Sequence, residues 1–322
     1  MPTRYLIHTI AVALALSAPT ANEAQVARTE IHCFQSTTST DQEFLTGRGE
    51  GKPVTIAGEL RLPRAGNDRL PVVVVLHGSG GISGYVTDWE QDLNSTGVAT
   101  FIIDSFSGRG ITNTNYDQDQ LSQTAMIVDA YRALDLLAKH PRIDPTRVAV
   151  MGFSKGGQAA LYASLKRFRK MHGSRAQEFA GYIAFYPPCT TTFREDEQVT
   201  DKPIRIFHGT ADDYNPIEPC RAYVARLKAK GKDVQLAEYA GAGHVFDGRA
   251  YKTPVKLEKA QTRRHCELQE RADGVIVNAK TQQPFTWRNP CVEYGPTLAY
   301  NEKASSEARK AVREFVMTVL KP

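Results

Sequence analysis

The sequence predicts an α/β protein built on a mostly parallel sheet with helices on both faces. Three observations carry this expectation. From Pro71 onward, short β-branched runs alternate with segments of helical apolar spacing. The runs are continuously apolar rather than alternating, as expected of strands covered on both faces. One of them, Val148-Ala149-Val150-Met151, runs into Gly152-Phe153-Ser154-Lys155-Gly156-Gly157, which reads as a strand, a tight turn and a helix start.

Taken in order, the chain opens with a targeting pattern. Arg4 supplies a positive start, Tyr5 to Leu16 is a short apolar core, and Ser17-Ala18-Pro19-Thr20-Ala21 is a small-residue cleavage region. Residues 1–21 are therefore expected to be a signal peptide, with cleavage between Ser17 and Ala24, and residues 22–322 a single domain. The apolar core is short for a membrane span. Glu30–Phe34 and Val54–Leu62 alternate like antiparallel edge strands. Pro71–His77, Val98–Asp104, Arg147–Met151, Gly181–Tyr186, Pro203–Gly209 and Val234–Tyr239 are the remaining strands. Helices are expected near Asp88–Thr96, within Leu121–Leu137, over Gly157–Ala163, over Glu218–Ala229 and over Ala304–Leu320. The last carries an apolar stripe of Ala308, Ala311, Val312, Phe315 and Val319. Arg249–Asn301 is polar and irregular, with a possible hairpin between Val275–Val277 and Pro284–Trp287.

At 41% hydrophobic and 23% charged, the composition is that of an ordinary globular chain. The net charge of +5 is small for 322 residues, so nucleic acid is not an expected partner. The five cysteines lack zinc-ligand spacing, and no metal or cofactor is expected. Oligomeric state is not readable from the sequence.

Ser154 stands where a serine would be exposed at the top of a sheet. Gly152 and Gly156 remove side chains that would collide with the adjoining strand and helix. A serine hydroxyl becomes a nucleophile only when an oriented base takes its proton. On this arrangement the acid and then the histidine follow the serine along the chain. Of His172, His208, His244 and His265, His244 lies in a glycine loop, Gly241-Ala242-Gly243-His244, directly after the last strand. His208 ends a strand and reads as a packed structural residue. Asp212, in His208-Gly209-Thr210-Ala211-Asp212-Asp213, is the expected acid in preference to Asp213. Asp104 precedes the serine and reads as a loop cap. The expected oxyanion donors are the backbone amides of Lys155 and Ser79. The Lys155 side chain is expected to face solvent, with a Ser–Lys dyad as the lesser alternative.

The ordered set His77-Gly78-Ser79-Gly80-Gly81, Asp104-Ser105-Phe106, Gly152-Phe153-Ser154-Lys155-Gly156-Gly157, His208-Gly209-Thr210-Ala211-Asp212 and Gly243-His244-Val245-Phe246-Asp247 resembles the dienelactone hydrolase family, its exported members most. The resemblance extends over Leu60–Leu320. It implies an α/β-hydrolase fold with an eight-stranded sheet, cofactor-free hydrolysis of a small-molecule ester or lactone, and Ser154, Asp212 and His244 as a triad. The namesake enzymes carry cysteine where this chain has Ser154, and hold a substrate carboxylate with arginines. Arg109 and Arg249 lie on suitable loops, though the spacing after His244 does not match cleanly. Phe106, Tyr186, Tyr214 and Phe246 are the other candidate substrate contacts. The family's strand order implies a Cys189–Cys220 disulfide, leaving Cys266 with Cys291 and Cys33 free. The expected protein is an exported, periplasmic or secreted, serine hydrolase. A peptidase on the same fold and a non-catalytic binding protein are the alternatives.

Overall fold

The computed structural model describes residues 28–49 and 51–321; the expected signal peptide lies outside the described residues. The main sheet has eight strands: β1 (Arg28–Thr38), β2 (Lys52–Leu62), β3 (Leu70–Leu76), β4 (Ala99–Asp104), β5 (Ile143–Phe153), β6 (Gly181–Phe185), β8 (Ile204–Gly209) and β9 (Val234–Tyr239). A two-residue strand, β7 (Thr191–Thr192), falls between β6 and β8 in the chain and outside this sheet. The spatial order is β1-β2-β4-β3-β5-β6-β8-β9. β1 and β2 pair antiparallel, as do β2 and β4; the other neighbours are parallel.

The apolar runs explain the layering. β3, LPVVVVL, is buried at every position. Val72, Val74 and Leu76 enter one core and Val73 and Val75 the other, because alternate side chains point to opposite faces. The first core is covered by α3 (Ala125–Leu137), α4 (Lys155–Tyr162) and α6 (Glu218–Ala229), the second by α2 (Gly84–Ser95) and α7 (Glu302–Leu320). In α7 the expected stripe is present, with Ala308, Val312 and Phe315 buried; Val316 and Leu320 complete it, and Val319 is only partly buried.

One short helix lacked a sequence signal strong enough to single out, α1 (Asp41–Thr46); α5 (Lys166–His172) falls on the basic run Lys166–Lys170, which reads as a solvated helix face. α1 is one and a half turns long and is nucleated by a Thr40–Glu43 capping box. The irregular segment also differs from expectation. Its hairpin joins Leu268–Glu270 to Ile276–Asn278, and Pro284 meets Val277 at only a single bridge. The turn is Arg271-Ala272-Asp273-Gly274, closed by the Gly274 N–H on Arg271 O (3.0 Å), with Gly274 at φ 77°. An Asp-Gly pair of this kind is a strong hairpin signal. Leu268–Glu270 also pairs with β7, which sews this segment to the loop after β6. Among the described residues no helix is long and apolar enough to cross a membrane.

Candidate active site

The site is assembled at the carboxyl ends of β3, β5, β8 and β9. Ser154 follows β5 at φ 51°, ψ −114°, a backbone region that ordinary residues avoid. The glycines around it permit that geometry. A Cβ on Gly152 would lie 2.0 Å from Gly156 O, and one on Gly156 would lie 2.4 Å from both His77 O and Leu76 O. The Ser154 N–H is fixed on Phe185 O of β6 at 2.9 Å.

Asp212 and His244 arrive from the loops after β8 and β9. His244 Nε2 is 3.0 Å from Ser154 Oγ, and His244 Nδ1 is 2.7 Å from Asp212 Oδ2. The other oxygen, Asp212 Oδ1, accepts the backbone N–H groups of Tyr214 (2.9 Å) and Asn215 (2.8 Å). All three side chains are at least nine-tenths buried, and the imidazole is gripped by the rings of Tyr186 (4.6 Å) and Tyr214 (4.7 Å). Tyr186 and Val245, beside His244, both have positive φ (36° and 56°), so strain is concentrated here as at Ser154.

The other histidines are engaged elsewhere. His208 is buried, with Nδ1 on Gly209 O at 3.1 Å. His172 bonds Phe44 O and stacks on the Phe44 ring. His265 is largely exposed. Asp213 accepts the Thr297 N–H at 2.8 Å, tying the loop after β8 to the end of the irregular segment. Asp104 caps its own loop through the Phe106 and Ser107 amides (2.9 Å each), as the sequence reading expects. His77 links two strand ends: its Nδ1–H donates to Gly78 O (2.8 Å) while Nε2 accepts the Ser105 N–H (3.2 Å). Burial holds its pKa below the ordinary imidazole value.

Ser79 sits in the turn after β3, its carbonyl held by the Thr114 N–H (2.7 Å) and its hydroxyl by Gln118. Lys155 is the first residue of α4, so its amide has no acceptor within the helix. Its side chain does not face solvent. Nζ is buried and donates to Leu121 O (2.7 Å) and Gln118 Oε1 (3.1 Å). Burial pulls its pKa down to about 7. No hydrogen bond joins Nζ to Ser154, so a Ser–Lys dyad is not formed.

Ser79, Ser154 and Lys155 line a cavity of about 40 Å³ with Gln118, Gln123, Gln158, Tyr214 and Arg263 among its other walls. Of the candidate substrate contacts, only Tyr214 lines it. Arg109 is engaged: its guanidinium pairs with buried Asp129 (2.8 Å) and bonds Thr37 O and Thr38 Oγ1, bracing β1. Arg249 lies in a short helical turn beside the start of α7, among Asp88, Asp92 and Arg313. Phe106 packs edge-on to His77, and Phe246 is buried in the core. Tyr186 is also buried, its hydroxyl donating to Asp247 Oδ1 (2.9 Å), while the Trp89 indole donates to Oδ2 (2.6 Å). Burial raises the Asp247 carboxyl above its usual range.

The cation that does reach the cavity is Arg263, which the sequence reading did not single out. It is 4% exposed, and it donates to two neutral amides, Gln123 Oε1 (2.6 Å) and Gln158 Oε1 (3.0 Å). Among the described residues it has no carboxylate partner, and burial lowers its pKa to about 10. Its sequence signal is faint, a basic pair just before Cys266. Cys266 bonds Cys291 (2.14 Å) and Cys189 bonds Cys220 (2.05 Å), as the family's strand order implies; Cys33 is free and exposed.

One cluster among the described residues has metal-ligand character: Glu30, His32 and His140. It lies at the β1 edge, away from the serine. His140 Nδ1 accepts the Arg142 N–H (3.2 Å), which leaves Nε2 as the protonated nitrogen donating to Glu30 (3.2 Å). That assignment suits a hydrogen-bonded cluster rather than a metal centre.

The model of the dienelactone hydrolase family matches residues 56–272, more than half of the chain. A Bradyrhizobium protein described as "Probable 2-oxo-3-(5-oxofuran-2-ylidene)propanoate lactonase" is 25% identical over 193 residues, covering 55% of this chain and 74% of that protein. Acyl-protein thioesterase 1 of Gibberella zeae is 31% identical over 106 residues, covering 32% of this chain and 43% of the thioesterase. Among solved structures, a dienelactone hydrolase-like promiscuous phosphotriesterase from metagenomic libraries superposes with a TM-score of 0.53 at 15% identity, covering 90% of this chain and 98% of that one. Est1E from Butyrivibrio proteoclasticus with ferulic acid bound gives 0.53 at 15% identity, over 84% and 97%. These structures share the fold, and the family match over residues 56–272 carries the conclusion: the chain belongs to the dienelactone hydrolase family.

Proposed function

We propose that the protein is an exported serine hydrolase that cleaves a carboxylic ester or lactone through an acyl-enzyme. The observation that carries this reading is the unbroken hydrogen-bonded run from Ser154 Oγ through His244 to Asp212. Ser154 Oγ attacks the substrate carbonyl as His244 Nε2 takes its proton, and Asp212 holds the imidazole through Nδ1–H. Negative charge on the tetrahedral oxygen is met by the Ser79 and Lys155 amides. His244 then gives its proton to the leaving oxygen, and water, deprotonated by the same imidazole, releases the acid. In a lactone the leaving alkoxide stays tethered, and the product is a hydroxy acid.

The unpaired Arg263 guanidinium supports a substrate with an acidic group within reach of the serine, since a buried cation without a counter-ion favours an anion. The oxidised cysteine pairs support export, disulfides being bonds of oxidising compartments.

The decisive experiment is turnover and labelling. The protein should hydrolyse p-nitrophenyl acetate and be labelled by a fluorophosphonate. Ser154→Ala should abolish labelling and lower turnover on the order of a million-fold, the scale of the subtilisin serine knockout. Labelling with faster peptide than ester cleavage would favour a peptidase, and no labelling a binding protein. Within an ester panel, acyl groups ending in a carboxylate should outperform neutral ones, and Arg263→Met should erase that preference.

A further inference from the structure

The catalytic cavity is small. Its volume of about 40 Å³ is roughly three times the 10–15 Å³ of such space that one water needs, so it accommodates a group of a few heavy atoms. A second cleft of about 540 Å³ lies beside it, bordered by Thr40, Asp41, Leu121 and Phe285. That is within the ordinary size range of ligand sites. The two spaces share five residues: Gln118, Gln123, Lys155, Arg263 and Trp287. These five are the partition between them.

Four of the five are fixed by hydrogen bonds. Gln118 bonds Ser79 and Lys155, Lys155 bonds Leu121 O, and Gln123 and Arg263 bond each other. Trp287 differs. Among the described residues its indole N–H has no partner; its ring is held by the Phe285 ring (5.6 Å) and lies below the Arg263 guanidinium (5.9 Å). It stands on the segment closed by the Cys266–Cys291 disulfide, and Gln261, Thr262 and Arg263, just before that segment, line the catalytic cavity.

The chemistry orients a substrate across this partition. His244 must protonate the leaving oxygen, so the alcohol lies on the histidine's side, where Tyr214 packs on the imidazole and lines the cavity. The acyl group is then assigned to the part of the cavity lined by Gln123, Gln158 and Trp287. None of His244, Tyr186 and Tyr214 borders the outer cleft.

We propose that Trp287 is the specificity-determining residue that caps acyl length, closing the acyl end of the catalytic cavity against the outer cleft. The inference rests on the ester-hydrolase reading and adds to it a substrate class: esters of short acids, with any large part in the alcohol. Removing the indole merges the two spaces and admits longer acyl chains.

The test compares p-nitrophenyl esters from acetate to octanoate on the wild type, Trp287→Ala, Trp287→Phe and Tyr294→Ala. Tyr294 is an exposed aromatic just beyond Cys291 that borders neither space. Wild-type kcat/KM should fall steeply with chain length. Trp287→Ala should raise the octanoate-to-acetate ratio by about tenfold or more, a change expected when a pocket gains room for methylenes. Trp287→Phe should be intermediate and Tyr294→Ala unchanged. Should alanine unfold the segment, Trp287→Leu takes its place. A second series, acetates of lengthening alcohols, should show no such gain. An unchanged ratio in an active Trp287→Ala enzyme, or a gain confined to the alcohol series, overturns the proposal. A wild type that turns over no ester removes the hydrolase reading itself.

Discussion

Lys155 shows how much one residue's surroundings can alter its meaning. Next to a nucleophile on an exposed turn, a lysine reads as a surface residue. Its burial depends on two groups from the loop after β4, Gln118 Oε1 and Leu121 O, which no local pattern announces. The consequence is measurable. The folded pKa is about 7 against an ordinary 10.5. Between those values the unfolded chain binds more protons, so this group makes stability rise with pH from about 7 toward 10.5. Urea midpoints at pH 7 and pH 10 should rise for the wild type relative to Lys155→Met, which lacks that increment. Gly152 is the opposite case, legible at once. Gly152→Ala drives a methyl into Gly156 O and should cost about 1–3 kcal/mol or more, read as a lower urea midpoint with loss of esterase turnover. Arg263 was not legible, because only the folded path of a polar, irregular segment brings it beside Ser154. Arg109, on the loop the family resemblance favours, is instead consumed by Asp129.

Among elements, α2 carries a second titrating contact. Glu90 is buried against Thr100 of β4 and pairs with Arg61 of β2 at 2.9 Å. Burial outweighs the arginine and lifts the carboxyl to about 7. Between 4.5 and 7 the folded state therefore binds more protons than the unfolded one. This contact makes stability fall as pH rises through that window, and Glu90→Gln should flatten the fall in urea midpoints between pH 5 and pH 7.5. The cysteine pairs act on loops rather than strands. Each closes a loop of 31 or 25 residues, worth about 3–4 kcal/mol in the chain-entropy account. Replacing Cys189 and Cys220 together with alanine should lower unfolding free energy by that order in denaturant titrations under non-reducing conditions. Strands and long helices were legible because their apolar period is strong. α1 was not, since it is only a few residues long and rests on a capping box, and the Arg271–Gly274 turn is marked only by its Asp-Gly pair.

Across the whole molecule, the eight strands fall where the sequence places them, and the alternation of strands and helices accounts for the parallel pairing of β3 to β9, while the strand order is what the family resemblance implies. What the sequence withheld is the part not built on that alternation. Residues 249–301 have few apolar repeats, yet they supply one wall of the catalytic cavity. The same segment ends in a clamp. The Thr297 N–H binds Asp213 beside the acid, the Ala299 N–H binds His244 O, and the Asn301 N–H binds Phe246 O. The loops carrying Asp212 and His244 are thus stitched to one short stretch, whereas Ser154 is stitched to β6. Opening that stretch would carry His244 and Asp212 off together and leave Ser154 in place. Such a unit opens with its own free energy, below that of global unfolding. In native-state hydrogen exchange, the amides of Thr297, Ala299 and Asn301 should therefore exchange as one group. The temperature at which they do so, rather than the melting of the sheet, should mark the reversible loss of turnover.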